Sequence, residues 1–260
     1  MRPLNVTIVQ ADLAWHDPDR NLERFSGMIA GVQETDLIVL PETFTTGFTM
    51  DAEAHAENMD GRGVAWMRET AKTAQASICG SLIIEDQGRF YNRFVCVSPE
   101  GATVHYDKRH LFRLAGEQHH YSPGKDFVTF EIAGWRICPM VCYDLRFPVW
   151  SRNRGRYDLL LYVANWPSPR HHAWETLLRA RAIENQAYVA AVNRVGKDGN
   201  NIAYSGGSAI IDYVGGDLCN LHDRAGTASA SLDPAMLGKF RDRFAFHLDA
   251  DDFTLQLDDA

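Results

Sequence analysis

Apolar residues in this chain fall into two alternating kinds of segment, short apolar runs and longer amphipathic stretches. Residues 19–34 repeat large apolar side chains at helical spacing, at Leu22, Phe25 and Ile29, and predict a first helix. Residues 37–40 are wholly apolar, which is typical of a short strand buried on both faces. The alternation of the two patterns predicts an α/β protein.

The same periodicities place the other elements. Three further helices are predicted at residues 64–76, 147–154 and 171–187. Further strands are predicted at residues 4–10, 78–85, 90–98, 103–106, 128–132, 135–140, 159–163, 188–193, 208–213, 218–221 and 227–232. Several strands follow one another without a helix between them, so a mixed sheet is expected rather than a parallel one. No linker or repeat is visible, and residues 1–260 are therefore predicted to form one domain.

Two segments stand outside this pattern. Residues 109–126 form the longest stretch without periodicity, and because loops of this length are usually functional, we expect this one at the rim of a site. The C-terminal tail, residues 243–260, carries an alternating stripe of Phe253, Leu255 and Leu257 among acidic residues. Such a tail either contacts a second subunit in a dimer or frays.

Composition excludes several classes of function. With 45% hydrophobic and 23% charged residues, the chain has the composition of an ordinary globular protein. The formal net charge of -8 argues against nucleic-acid binding, which needs clustered lysine and arginine. No run approaches the roughly 20 apolar residues that span a bilayer, so no membrane association is expected.

The cysteines and the N-terminal residues bear on the compartment. Five widely spaced cysteines, an odd number, do not suggest a disulfide framework. The chain enters a strand-like run at Leu4 without a long apolar core before it, so no signal peptide is expected. A cytoplasmic location is therefore predicted.

One apolar run, residues 136–141, delivers a cysteine, Cys142, into a polar turn. A thiol in such a place acts as a nucleophile only if a base takes its proton and another group stabilises the resulting oxyanion. Two earlier strand-like runs end in suitable groups, the carboxylate of Glu42 and the ammonium of Lys108. The sequence therefore predicts a catalytic triad of Glu42, Lys108 and Cys142.

The segments around these three residues resemble the motifs of the nitrilase superfamily of carbon-nitrogen hydrolases. They are Leu40-Pro41-Glu42, Tyr106-Asp107-Lys108 with His110-Leu111-Phe112, and Cys142-Tyr143-Asp144-Leu145-Arg146-Phe147-Pro148. The resemblance covers residues 4–232 and keeps the order of the family's motifs. It implies a four-layer αββα sandwich with mixed sheets, which commonly assembles as a homodimer and uses no cofactor.

Within that superfamily the chain most resembles the omega-amidase branch, which cleaves the terminal amide of short dicarboxylate monoamides such as 2-oxoglutaramate. This resemblance implies a small-molecule amide and water as the reactants. We expect Glu42 to act as general base and then general acid, and Lys108 with the backbone N–H of Tyr143 to stabilise the oxyanion. Glu117 matches a second glutamate of the family, which positions the lysine and the substrate amide.

The residues that bind substrate are harder to predict. Phe44, Phe48, Tyr143 and Trp166 are candidates for the walls of a narrow pocket. Arg113 and Arg146 lie close in sequence to catalytic candidates, and a guanidinium suits a carboxylate at the far end of a short substrate. The alternative for each arginine is a structural ion pair.

Other functions are compatible with parts of the sequence. N-carbamoyl amino acid hydrolysis and nitrile hydrolysis would use the same triad, and a catalytically silent binding protein would keep only the fold. A thiol-redox role for Cys138 and Cys142 is a third class. The histidine pairs 119–120 and 171–172 lack partners at a recognised ligand spacing, so no metal is expected.

Overall fold

Two six-stranded sheets packed face to face form the centre of the fold in the computed structural model, which describes residues 1–256. The strands are β1 (Leu4–Gln10), β2 (Leu37–Val39), β3 (Ser77–Asp86), β4 (Arg89–Val97), β5 (Thr103–Asp107), β6 (Phe130–Ile132), β7 (Trp135–Val141), β8 (Leu159–Val163), β9 (Tyr188–Val192), β10 (Val195–Lys197), β11 (Ala203–Ser205), β12 (Ala209–Ile211), β13 (Asp217–Asn220) and β14 (Gly226–Leu232). The helices are α1 (Pro18–Ile29), α2 (Ala52–His55), α3 (Arg62–Ala74), α4 (Pro148–Ser151), α5 (His171–Asn185) and α6 (Pro234–Arg243).

Both sheets are mixed, as the sequence predicts. The first has the order β14-β1-β2-β3-β4-β5, with β1, β2 and β3 parallel and the other pairs antiparallel. The second has the order β13-β12-β9-β8-β7-β6, with β7, β8 and β9 parallel. β10 and β11 form a separate antiparallel hairpin.

The pleat of the first sheet divides its apolar residues between two cores. In β2, Leu37 and Val39 belong to the core between the sheets, which also holds Leu161 of the second sheet. Ile38 points the other way and packs with Phe25 of α1 in the outer core beneath α1 and α3. A wholly apolar strand is therefore required here, because both of its faces are buried.

Helix α5 covers the outer face of the second sheet through Trp174, Leu178 and Ala182. The layers are therefore helix, sheet, sheet and helix. This confirms the αββα sandwich expected from the sequence.

The arrangement places the ends of several strands at one site. Glu42 follows β2 and Cys142 follows β7, and both strands are parallel members of their sheets. Lys108 comes directly after β5, the edge strand of the first sheet. Strand ends from both sheets thus supply the functional side chains.

The structure corrects some of the predicted boundaries. The first helix ends at Ile29 rather than at residue 34, because the chain turns at Ala30 and must reverse to enter β2. Helices α2 and α6 and the hairpin of β10 and β11 were not predicted. α2 and the hairpin strands are too short for a periodic pattern, whereas α6 has a recognisable start, since the Asp233 carboxylate accepts hydrogen bonds from the first turn and Pro234 follows it.

The described part of the C-terminal tail lies against its own chain. The Arg154 guanidinium pairs with Asp252 and donates a hydrogen bond to the Phe253 carbonyl. Leu257, the last member of the predicted apolar stripe, lies outside the described residues, and dimer contacts by the tail stay a prediction. Within residues 1–256, no helix has both the length and the apolar character to cross a membrane.

Candidate active site

Cys142 begins a single 3-10 turn, Cys142–Arg146, immediately after β7. Its φ of 45° lies in the left-handed region, which costs an L-residue roughly 1–2 kcal/mol. Its Sγ atom lies 3.9 Å from the carbonyl oxygen of Asn165. The backbone N–H of Tyr143, the second residue of the turn, has no acceptor within that turn. The thiol and a free N–H donor are thus presented together.

Glu42 is completely buried and its two carboxylate oxygens have separate partners. Oε1 accepts hydrogen bonds from Asn92 Nδ2 at 2.7 Å and from Lys108 Nζ at 3.0 Å. Oε2 accepts one from the backbone N–H of Asn165 at 2.7 Å. These donors stabilise the ionised carboxylate and fix its orientation.

The orientation of Asn92 is itself fixed. The hydroxyl of Ser81 donates to Asn92 Oδ1 at 2.8 Å and accepts from the backbone N–H of Thr43 at 2.8 Å. With its oxygen so engaged, the Asn92 amide must turn its NH₂ group to Glu42. This relay from strands β3 and β4 holds Glu42 in place.

Lys108 is buried between two carboxylates. Its Nζ donates to Glu117 Oε1 and Oε2 at 2.9 and 3.0 Å, in addition to Glu42. Burial alone would lower the pKa of Lys108, but the charges of Glu117 and Glu42 outweigh it and raise that pKa. The lysine therefore remains an ammonium at neutral pH.

Glu117 is also fully buried, in a 3-10 turn of the long loop. Burial raises its pKa, while Lys108 and a hydrogen bond from the backbone N–H of Phe112 act in the opposite direction. The loop at residues 109–126 is therefore anchored to the site through this carboxylate.

The protonation of the Cys142 thiol follows from its surroundings. Burial and then the negative charge of Glu42 raise its pKa, and Lys108 offsets them only in part. A hydrogen bond to Glu42 acts in the same direction as burial. The thiol is therefore protonated at rest, and a base must remove its proton during nucleophilic attack.

Asp144 connects the cysteine turn to the lysine loop. Its Oδ2 accepts hydrogen bonds from the Tyr106 hydroxyl at 2.8 Å and from the backbone N–H of Val141 at 3.0 Å. Its Oδ1 accepts the backbone N–H of His110 at 2.9 Å and lies 2.7 Å from Nδ1 of that ring. The His110 ring stacks on Phe147 with centroids 3.8 Å apart. Asp144 thus fixes the position of Cys142 relative to Lys108.

A cavity of about 450 Å³ opens onto Lys108 and Cys142. Four of the residues predicted to bind substrate line it, namely Phe48, Tyr143, Arg146 and Trp166. Lining residues that the sequence did not single out include Trp15, His16, Asp198, Arg170 and Tyr204. A cavity of this size accepts a small molecule.

Two predicted substrate-binding residues do not line this cavity. Phe44 is completely buried in the outer core, where its ring meets Phe25 edge-on at 5.7 Å and lies 5.8 Å from Trp66. It follows Glu42 by two residues and is directed into the core beneath the helices. Arg113 is exposed to solvent in the 3-10 turn Arg113–Ala115, and the cavity is instead bordered by its neighbours Phe112 and Ala115. The structure therefore does not place Phe44 or Arg113 at the cavity, contrary to the expectation from the sequence.

The remaining cysteines and the histidine pairs belong to neither a disulfide nor a metal-binding group within residues 1–256. Cys138 is buried in β7, and burial raises its pKa. All five cysteines are free thiols. Among residues 1–256, no group of three or more His, Cys, Asp or Glu side chains is arranged to hold a metal ion.

Comparison with known proteins relates this geometry to a family. The carbon-nitrogen hydrolase family model matches residues 5–242. The chain is 49% identical over 259 residues to Omega-amidase YafV of Yersinia enterocolitica, covering 98% of this chain and 100% of that one. It is 34% identical to the 2-oxoglutaramate amidase of Bacillus subtilis strain 168, covering 88% and 90% of the two chains.

The fold is also similar to that of a solved structure. A CN-hydrolase superfamily protein from Xanthomonas campestris, whose crystal structure has an arsenic adduct in the active site, superposes with a TM-score of 0.96. It is 45% identical and the match covers 98% of this chain and 100% of that one. The chain therefore belongs to the carbon-nitrogen hydrolase family.

Proposed function

We propose that this amide-hydrolysing enzyme cleaves the terminal amide of short dicarboxylate and keto-acid monoamides, such as 2-oxoglutaramate, to the acid and ammonia. Relatives that carry the names omega-amidase and 2-oxoglutaramate amidase match nearly the whole chain. The observation that carries the proposal is the buried cluster of Glu42, Lys108, Glu117 and Cys142 at the cavity. A binding protein would have no need to bury these charges, since desolvating each is costly.

In the first half of the reaction, Glu42 takes the Cys142 proton as the sulfur attacks the amide carbon. The carbonyl oxygen becomes an oxyanion, which the Lys108 ammonium and the Tyr143 N–H stabilise. Glu42 then gives the proton to the amide nitrogen, the C–N bond breaks and ammonia leaves. The substrate acyl group remains bound to Cys142 as a thioester.

In the second half, water attacks the thioester while Glu42 takes one of its protons. The same two donors stabilise the second oxyanion. When that intermediate collapses, the C–S bond breaks, the carboxylic acid is released and the sulfur regains the proton from Glu42. Glu117 acts through Lys108, because both of its oxygens hold the ammonium in place.

The test is ammonia release by the purified protein from 2-oxoglutaramate, succinamate, glutamine, an N-carbamoyl amino acid and a simple nitrile. The expected result is turnover of the first two, lost in Cys142→Ala and retained in Cys138→Ala, the matched control from the buried strand. Preferred turnover of the N-carbamoyl compound or the nitrile would replace the proposed substrate class. Equal loss in both cysteine variants would favour a thiol-redox role, and no turnover of any compound would favour a silent binding protein.

We propose further that the enzyme works in the cytoplasm as a homodimer. A reducing compartment is supported by the five widely spaced cysteines, an odd number that does not suit a disulfide framework. Dimer contacts near the tail are supported by Phe246 and Leu248, large apolar side chains that are 60% and 75% exposed. Sedimentation of the full chain should give a dimer mass, and a monomer at assay concentrations would contradict this proposal.

A further inference from the structure

Two arginines that line the catalytic cavity have no acidic partner among the described residues, 1–256. Arg146 and Arg170 both border it, and within residues 1–256 neither side chain makes an ion pair or a hydrogen bond with another residue. Other arginines of this protein do make ion pairs, as Arg93 does with Asp107. Within residues 1–256, Arg146 does not make the structural ion pair that the sequence left open.

Each guanidinium is instead held over an aromatic ring. Arg146 lies over Trp166, with its Cζ 4.9 Å from the ring centroid, and Arg170 lies over Phe112 at 5.1 Å. The attraction between a cation and an aromatic face favours these positions, and it uses none of the guanidinium N–H groups. Planar N–H donors of that kind match the two oxygens of a carboxylate.

The supporting rings are themselves fixed to the catalytic residues. The Trp166 indole N–H donates to the carbonyl oxygen of Arg170 at 2.7 Å, so one tryptophan organises both arginines. Phe112, whose ring lies beneath the Arg170 guanidinium, donates its backbone N–H to Glu117. The two guanidinium groups are thus positioned relative to Lys108 and Cys142 before any substrate arrives.

The carboxylates of the cavity have partners other than these two arginines. Glu42 and Glu117 are paired with Lys108. Asp198 accepts hydrogen bonds from the backbone N–H groups of residues 200 and 202 and from the Tyr204 hydroxyl. Asp51 borders the cavity with a largely exposed side chain, 3.9 Å from His55. Within the described residues, both guanidinium groups therefore keep their N–H donors for an anionic substrate.

We propose that Arg146 and Arg170 together bind the free carboxylate of the substrate and select anionic ω-monoamides over neutral amides of the same length. This inference rests on the proposed function and adds Arg170, which replaces Arg113 as the second candidate. The amide end of the substrate lies at Cys142, and its carboxylate end lies at the two guanidinium groups.

The test measures binding and turnover separately. Binding of succinamate and of butanamide, its neutral analogue, is measured by calorimetry on Cys142→Ala, alone and combined with Arg146→Gln or Arg170→Gln. The ratio of kcat/KM for the two amides is measured in the same arginine variants with Cys142 intact. Arg113→Gln is the matched control, because it removes an arginine from the same region outside the cavity.

Arg146→Gln and Arg170→Gln should each weaken succinamate binding about 10- to 100-fold, the usual value of a hydrogen bond to a charged group. Each should lower the ratio of kcat/KM for succinamate to that for butanamide by the same factor. Arg170→Lys should restore part of the preference, because it restores charge without the planar donors. Arg113→Gln should leave the ratio unchanged. An unchanged preference in Arg146→Gln and Arg170→Gln, or equal loss in Arg113→Gln, would overturn the proposal.

The two proposals fail in different ways. If Cys142→Ala prefers succinamate and loses that preference in the arginine variants, while the enzyme with Cys142 hydrolyses neither amide, the carboxylate site stands and the proposed function falls. If the enzyme hydrolyses both amides equally well and the arginine variants change nothing, amide hydrolysis stands and the carboxylate site falls.

Discussion

Replacing Glu117 by glutamine should remove a contact that fixes the position of Lys108, while the lysine keeps its positive charge. Glu117→Gln keeps one oxygen acceptor for Lys108 Nζ but substitutes an NH₂ donor for the other, where the ammonium now donates at 2.9 and 3.0 Å. At an effective dielectric of about 20, opposite charges 2.9 Å apart attract by about 6 kcal/mol. Glu42, at 3.0 Å, still compensates the ammonium, so Lys108 stays charged but loses its fixed position.

Both activity and stability should respond. Disrupting a buried ion pair costs roughly 3–5 kcal/mol of the free energy of unfolding, which for a chain of this size lowers Tm by about 6–10 °C. The value of kcat should fall by about 100- to 1000-fold, the usual effect of losing an oxyanion donor. KM for succinamate should change little, because Glu117 does not line the cavity.

The assay is the initial rate of ammonia release with succinamate, paired with thermal unfolding followed by circular dichroism. Glu57→Gln is the matched control, since Glu57 is a largely buried carboxylate that accepts the backbone N–H of Gly63 outside the site. It should leave kcat within about threefold of the parent. If Glu117→Gln also keeps kcat within about threefold, Glu117 does not position Lys108 and the reasoning is refuted.

Three further predictions test the surroundings of the site. Asn92→Leu removes the 2.7 Å hydrogen bond to Glu42 and should lower kcat about 10-fold or more in steady-state assays, whereas an unchanged kcat would show that this bond does not hold the base. Phe44→Ala should cost roughly 3–5 kcal/mol in a urea titration because the ring packs in the outer core. The KM of Phe44→Ala for succinamate should stay unchanged. A large rise in KM would show that Phe44 contacts the substrate after all. Burial raises the pKa of Cys96 from 9.0 to about 12, so the folded state holds this proton more tightly than the unfolded state. The resulting stability is complete below pH 9 and is lost toward pH 12, at roughly 1.4 kcal/mol per pH unit. Cys96→Ala should therefore show a shallower loss of unfolding free energy across that range, and equal slopes would contradict the assignment.

Most of the architecture could be predicted from the spacing of apolar residues. Strands such as β1 and β8 have the bounds that the sequence predicts, because their residues are buried on both sides. The first helix was predicted too long, since helical periodicity continues to Val32 while the chain must already turn toward β2. The hairpin of β10 and β11 contains only three residues per strand, which is too few for a pattern to be recognised.

Glu42, Lys108 and Cys142 could be singled out because each follows an apolar run, whereas Glu117 was expected only from the resemblance to the family. The structure brings Glu42, Lys108, Glu117 and Cys142 together. Asn92 lies in the polar half of β4, between Tyr91 and Arg93, so nothing in the local sequence distinguishes it. Asn165 could not be assigned, because its contact with Glu42 joins residues 123 positions apart in two different sheets.

The substrate-binding residues needed three-dimensional information. Arg113 and Arg170 are both arginines in short 3-10 turns, and nothing in the local sequence shows which of them faces the cavity. The aromatic partner of Arg170, Phe112, comes from a loop 58 residues earlier in the chain, so proximity in sequence pointed to Arg113, which does not line the cavity.

In the proposed reaction, Cys142 carries the acyl group of the substrate as a thioester. The most direct measurement is mass spectrometry of the protein mixed with succinamate and quenched in acid within a turnover, followed by peptide mapping. We expect a succinyl group on the peptide that contains Cys142, absent from Cys142→Ala. Ammonia release without any acylated protein, or acylation of a different cysteine, would contradict it.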